Sequence, residues 1–547
     1  MKKVVIIFVF LFCFSAGNFG AQPVANKTSA NVISQYDLSV RILPDAHRLE
    51  ASGTLRLPIA NVSRSEIKLS LSELMQNFTV EVIEPVASAG IAKVEMRDTK
   101  RGSNKWIIRP VRPIPAGQAV LLRFSYAGGE QPANQFYIGS EVSFASAYGT
   151  DWYPLVDGEN DKGIGSLQIF VPAGQTVYAT GKRRSSAQEA EQSAFKFEII
   201  HPTYFAFAAG NYTVVQRNGS VPVAIYSLRP HKNMEQYLDG ILRILNLLAQ
   251  EFGPYRFDEF TLVEIPNEQA NKAQFSGAAF QGFFFSSSAA LDAPEFNLAL
   301  PYFAHELSHE WFPHLTALKK GRGRFTEEAL AQYGSLRVVE AIQGATTAEQ
   351  YRRTGLPNYN ADFSAAGYFK IAASGADQNL ANLKGEPGRR LAYTKGFLVF
   401  GMLSREIGRE KFQRILRSIT RRYAFREIGW NEFLRAVETG AGRNLRWFYE
   451  QWFERTGAPD YQLIWKQEGK IVSGKITQPA PYFRATLEVE ITGANNRRLL
   501  KTVEIIGNEI KFNWSVPFKV DSVVLDPHYK VLRWIPEFHR QSNKPTN

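Results

Sequence analysis

The chain changes its hydrophobic period twice. From about Tyr36 to Gln216, apolar and polar residues alternate in short runs: YDLSVRIL, ASGTLRLPI, EIKLSLS, FTVEVIE, KWIIRPV, AVLLRFSYA, SLQIFVPA, TVYATG and FKFEII. Gly, Pro, Asn and Ser break the runs, and a period of two belongs to strands buried on one face, so this part predicts an antiparallel β domain, 34–218. Beyond Val221 the period lengthens. Tyr237, Leu238, Ile241, Leu242, Leu245, Leu248, Ala249 and Phe252 recur at three and four residues until Gly253 and Pro254, which predicts an amphipathic core helix. FTLVEIPNE then reads as a strand and Phe275 to Phe285, FSGAAFQGFFF, as a second extended stretch. Helical patterns follow at Phe397 to Arg405, Lys411 to Tyr423, Asn431 to Glu438 and Leu445 to Arg455, completing an α/β domain, 219–457. From Pro459 alternation returns in YQLIWKQ, KIVSGKI, FRATLEVEI, RLLKTVEII, EIKFNWSV and DSVVLDP, which predicts a small C-terminal β-sandwich, 458–541.

Composition supports several packed cores, with 547 residues, 44% hydrophobic and 13% aromatic. The net charge of +12 is spread along the chain instead of gathered in an aromatic-laced basic tract, which argues against a nucleic-acid partner. Its densest group, Lys319, Lys320, Arg322 and Arg324, reads as a solvated loop. At the start, Lys2 and Lys3 precede an apolar run from Val4 to Phe14 and the small residues Ser15, Ala16 and Gly17. This is the plan of a signal peptide, 1–21, and implies an exported protein, periplasmic or extracellular, with an uncleaved N-terminal anchor as the only route to a membrane. Cys13 is the single cysteine, so the mature chain has neither disulfides nor thiolate ligands.

Histidine and carboxylate chemistry is therefore what remains for a metal, and PYFAHELSHEWF, from Pro301 to Phe312, supplies it. Four residues turn a helix through about 400°, so His305 and His309 leave one face a turn apart and reach one ion. Zinc takes such nitrogen and oxygen donors and keeps a corner for water, which Glu306 is placed to deprotonate. A third ligand is needed, and the helix-forming run from Thr326 to Tyr333 offers Glu328, with Glu327 as the competing choice.

HELSHEWF, eighteen residues, and Glu328 within EEALAQY resemble the gluzincin zinc aminopeptidases of the aminopeptidase N type, and their spacing favours Glu328 over Glu327. AYTKG, Ala392 to Gly396, resembles the family's YEKG segment and implies that Tyr393 is the catalytic tyrosine, donating to the oxyanion. YDLSVRIL, the Trp152, Tyr153, Pro154 corner and GSLQIFVPAG extend the resemblance weakly into the first β domain, which in the family caps one wall of the site. What the resemblance implies is a thermolysin-like α/β catalytic domain, one Zn2+ on His305, His309 and Glu328, Glu306 as general base and then proton shuttle, and a peptide or protein substrate. The chain given ends where many family members continue into a large helical domain, which implies a more open cleft.

The resemblance also places the substrate-pairing strand at Gly277, Ala278, Ala279, Phe280 and Gln281, where an extended peptide adds to the sheet edge. Family members carry GAMEN there, and its glutamate holds the peptide's α-amino group; by spacing to His305, Gln281 stands opposite that glutamate, without its charge. The family's second amine contact falls near Ala145, leaving Asp151, Asp157, Glu159 or Asp161 as substitutes. Aminopeptidase action is the leading expectation, with a weakened preference for free amino termini; an endopeptidase, a different zinc hydrolase and an inactive binding protein are the alternatives.

Overall fold

The computed structural model describes residues 33–98, 102–157, 162–319, 323–357, 359 and 361–542. The expected signal peptide, 1–21, lies outside them, as do Glu159, Asp161, Lys320 and Arg322. Among the described residues no helix is long and apolar enough to cross a membrane.

The first region is built on a seven-stranded sheet. Its strands run in the order Lys182–Gln188, Gln192–Thr203, Gly163–Pro172, Ser34–Leu43, Arg48–Leu57, Val120–Gly128, Met75–Glu84. Alternate residues of Ser34–Leu43 are buried, as the period of two requires, with Tyr36, Leu38, Val40 and Ile42 inward. The sheet is not wholly antiparallel: Ser34–Leu43 pairs in parallel with Gly163–Pro172, a long-range pairing that periodicity cannot reveal. Two four-stranded sheets complete the region. One of them carries Val142–Ser146 up to the turn holding Tyr148.

The second region has a five-stranded sheet in the order Thr213–Arg217, Val223–Ser227, Phe260–Ile265, Phe283–Ser287, Gly277–Phe280. Thr213–Arg217, left with the first domain by a boundary at 218, is thus an edge of this second sheet. The helix Met234–Phe252 buries Tyr237, Leu238, Ile241, Leu245, Leu248 and Phe252 against it. Two further differences from the sequence expectation matter for the site. FTLVEIPNE ends as a strand at Ile265, because Pro266 hands over to a short helix, Asn267–Lys272. Phe275 to Phe285 is a hairpin rather than one extended stretch, its two strands joined at Gln281 and Gly282, where Gly282 adopts φ 81.

The C-terminal region contributes two three-stranded antiparallel sheets whose buried residues join the helices in one core. Phe483 packs on Trp452 with ring centroids 5.3 Å apart, and Phe538, from a final helix Pro536–Ser542, stacks on Phe369 at 5.0 Å.

Candidate metal centre

The first two candidate ligands come from the helix Phe296–Ser308 and its end. His305 is on the last turn, and His309 caps the helix with near-helical backbone, φ −62 and ψ −19. The helix then passes into a wide turn, Glu310–Leu315, in which Phe312 has left helical space at φ −137, ψ 102. That departure turns the Phe312 carbonyl back to accept Nδ1–H of His309 at 2.9 Å. With one proton held on Nδ1, Nε2 is the ring atom turned toward Glu328.

Glu328 arrives from the helix Gly323–Gln343, which packs across the first. Its Oε2 lies 3.4 Å from Nε2 of His305 and 3.5 Å from Nε2 of His309. One donor atom from each of the three residues falls within 4.8 Å of the others. These distances are long for hydrogen bonds, and Glu328 Oε2 remains buried without a hydrogen-bond partner. Two imidazole nitrogens and an under-satisfied carboxylate oxygen facing one point fit a zinc ion between them. Electrostatics agree. Burial alone would raise the Glu328 carboxyl, but the two imidazoles hold it well below the usual carboxylate range. Burial likewise lowers His309, yet Glu328 outweighs it and lifts the ring to about 9, so the pocket attracts positive charge.

Burial pushes the Glu306 carboxyl up, against the pull of the two histidines. Gly277 of the edge strand lies directly over it: a Cβ there would stand 2.8 Å from Glu306 Oε1 and 2.5 Å from Tyr302 Oη. Only glycine permits that approach of backbone to base. Tyr393 lies on a wide turn, Ala392–Gly396, at the head of the helix Phe397–Ile407. Its ring stacks on His305 at 5.6 Å and on Phe363 at 4.6 Å. Burial and the neighbouring Glu328 carboxylate keep that hydroxyl protonated.

The rest of the proposed substrate strand divides by its pleat. Ala278 and Phe280 are buried in the core under the first region, while Gly277 and Ala279 are on the side of the HExxH helix. Gln281 does not reach the metal ligands with its amide, which donates to the carbonyls of Pro202 and His314 at 3.3 and 3.4 Å. Ala145 is fully buried in its strand. Asp151 accepts from Ser70, and Asp157 pairs with Lys105 at 2.9 Å, so neither described acid is directed to the metal centre.

Several supporting groups were invisible to sequence reasoning: the Phe312 carbonyl, Tyr302, which donates to the Ser276 carbonyl at 2.9 Å, and Phe363 behind Tyr393. Lys395 was visible within AYTKG, but its role was not. It is fully buried, lowered by that burial to about 8, and its Nζ donates to the carbonyls of Arg455 and Gly457 at 3.2 and 3.4 Å. The motif's lysine therefore ties the tyrosine turn to the start of the C-terminal region.

Fold and site together put HExxH on one helix and Glu328 on the next. Residues 299–452 match the Peptidase family M1 domain. Among curated proteins, the chain is 25% identical to an aminopeptidase N of Streptomyces lividans over 62% of its own length and 41% of that protein. It is 20% identical to a probable aminopeptidase 1 of Sulfurisphaera tokodaii over 58% of this chain and 41% of that one, and 23% identical to aminopeptidase M1-B of rice, Oryza sativa subsp. japonica, over 43% and 27%. The chain is thus similar to aminopeptidases, and its likeness to the Peptidase family M1 domain lies in residues 299–452. The matches span 41% or less of each of these relatives.

Proposed function

We propose that the protein is an exported zinc metallopeptidase that hydrolyses peptide bonds as an aminopeptidase. The observation that carries this reading is the convergence of His305, His309 and Glu328 within 4.8 Å, beside a half-buried Glu306 that lies under the edge strand at Gly277. His305, His309 and Glu328 would hold a zinc ion, which would supply Lewis-acid polarisation and make a water easier to deprotonate. Glu306 takes that proton and delivers it to the departing amine, for which its raised proton affinity suits it. The Tyr393 hydroxyl donates to the oxygen that becomes negative on the attacked carbonyl. Backbone groups at Gly277 orient the peptide by strand addition.

With Gln281 spent on backbone carbonyls, no charged partner for the peptide's amine is present on this strand. A neutral or absent contact contributes less than an ion pair to an ammonium, so the preference for free over acetylated amino termini is weak. The test is incubation of zinc-loaded protein with mixed peptides, the cut bonds being located by mass spectrometry with Glu306→Gln as control. Cleavage from amino termini that vanishes in the control supports the reading. Zinc-loaded protein that cuts no peptide overturns it.

A further inference from the structure

The edge strand is closed at one end, and the closure comes from a histidine that the metal does not use. Ser287 N–H donates to the Ser276 carbonyl at 2.9 Å, and the register runs Gly277 to Ser286, Ala278 to Phe285, Ala279 to Phe284, Phe280 to Phe283. In an antiparallel pair, residues alternate between bonding the neighbour and pointing away from it. Ser276, Ala278 and Phe280 therefore bond inward, and Gly277 and Ala279 direct their N–H and C=O to the open side. Gly277 is the position beside Glu306. Two residues further, the Ala279 carbonyl faces the ring of His314.

His314 is 5% exposed and held from several sides. Its Nδ1 lies 3.4 Å from Tyr148 Oη, and the Tyr148 ring stands edge-on to it at 5.9 Å while also contacting Tyr204 and Phe280. Gln281 bonds the His314 carbonyl, and Glu310 Oε2 takes the Gly282 N–H at 2.9 Å. Past Ala279, the outward side of the hairpin is thus occupied by His314, Gln281 and an aromatic wall from the first β region.

Resting on the peptidase reading above, we infer that His314 is a specificity-determining residue that ends the substrate-pairing edge and limits a peptide to about two residues on the amino-terminal side of the cut bond. The direction follows from pairing. Gly277 offers both outward groups to one residue, and an antiparallel peptide satisfies both at once. Such a peptide lies with its cut bond near Glu306 and its amino terminus toward His314. Its next residue toward the amino terminus falls between the outward-facing positions, and the third, opposite Ala279, meets the wall of His314 and Tyr148. The amino terminus is measured by a wall instead of being held by a charge. N-terminal extension then matters more than N-acetylation.

The test is a peptide series sharing one preferred bond and preceded by one, two, three or five residues, each with free and acetylated ends, cut by the zinc-loaded full chain. For the wild type, kcat/KM is expected to fall at least about 100-fold between two preceding residues and five, as a steric block requires, while acetylation of the shortest member costs about tenfold or less. His314→Ala should recover at least about tenfold on the five-residue member relative to the shortest, and His314→Gln, which keeps a donor for Ala279, should retain the limit. Zinc content and thermal unfolding of His314→Ala check its fold. Tyr148→Ala, which alters the same wall from a residue 38% exposed, should also relax the limit, so the inference survives an unstable His314 variant. Wild-type cleavage that is indifferent to preceding length overturns the inference and leaves the peptidase reading standing. Failure to cut any member removes both.

Discussion

His231 and His309 are both shielded from solvent beside carboxylates, yet their surroundings are chemically opposite. Nε2 of His231 is 2.9 Å from Glu264, and Nδ1 is 3.1 Å from Asp292. Glu264 also accepts from Ser288 at 2.6 Å and from the Leu228 N–H at 2.8 Å, and Arg229 bonds both oxygens of Asp292. Each carboxylate oxygen in that group has a donor, so the charges are spent on joining the segment after Val223–Ser227, the strand Phe260–Ile265 and the short helix Ser288–Leu291. At His305, His309 and Glu328 the contacts are longer than 3.3 Å and the Glu328 oxygen is unpartnered. A buried polar cluster whose bonds close on themselves holds structure, and one that stops short keeps room for an ion.

The sharpest way to break this contrast is to remove a ligand. His309→Ala should take zinc from about one per chain to near none by elemental analysis and abolish hydrolysis, because two remaining donors do not hold the ion. Retention of full zinc by that variant would disprove the ligand assignment. Glu306→Gln should keep the zinc but lose about 10² in turnover or more, since the amide cannot accept the water's proton. Steady-state kinetics beside a zinc measurement separates the two effects. Tyr393→Phe should lower kcat by about 10² with KM little changed, as expected for one lost oxyanion donor. An unchanged kcat would take Tyr393 out of the reaction.

His231→Ala should have the smallest effect on catalysis, within about threefold per folded molecule, with zinc retained. Its cost should fall on stability, about 3 kcal/mol by denaturant unfolding, because Glu264 is left buried without its counterpart. If the variant instead lost zinc, the two clusters would be coupled, and the contrast between them would fail.

The candidate site was legible wherever local periodicity carries it. HExxH places its two histidines by helix geometry alone, and the eighteen-residue spacing to Glu328 and the AYTKG segment were read by resemblance. The amphipathic helix ending at Gly253 and the six C-terminal strands follow from side-chain period. The hairpin at Gln281 and Gly282 was missed because FSGAAFQGFFF is apolar throughout, so its pattern does not show where the chain reverses. The parallel pairing of Ser34–Leu43 with Gly163–Pro172 was missed because partners so distant in sequence leave no local mark.

By itself, then, the sequence determined the chemistry available: two imidazoles, a carboxylate between them, other carboxylates as the remaining ligands, and no cysteine beyond Cys13. Those facts depend on residue identity and on a helix repeat that any helix obeys. Only the tertiary structure decided which atoms remain open to a ligand. It turned the Phe312 carbonyl onto His309, brought Gly277 over Glu306, set His314 against Ala279 and spent Gln281 on two carbonyls. These are contacts between elements that meet only when their apolar faces pack, and hydrogen-bond satisfaction is settled at that step.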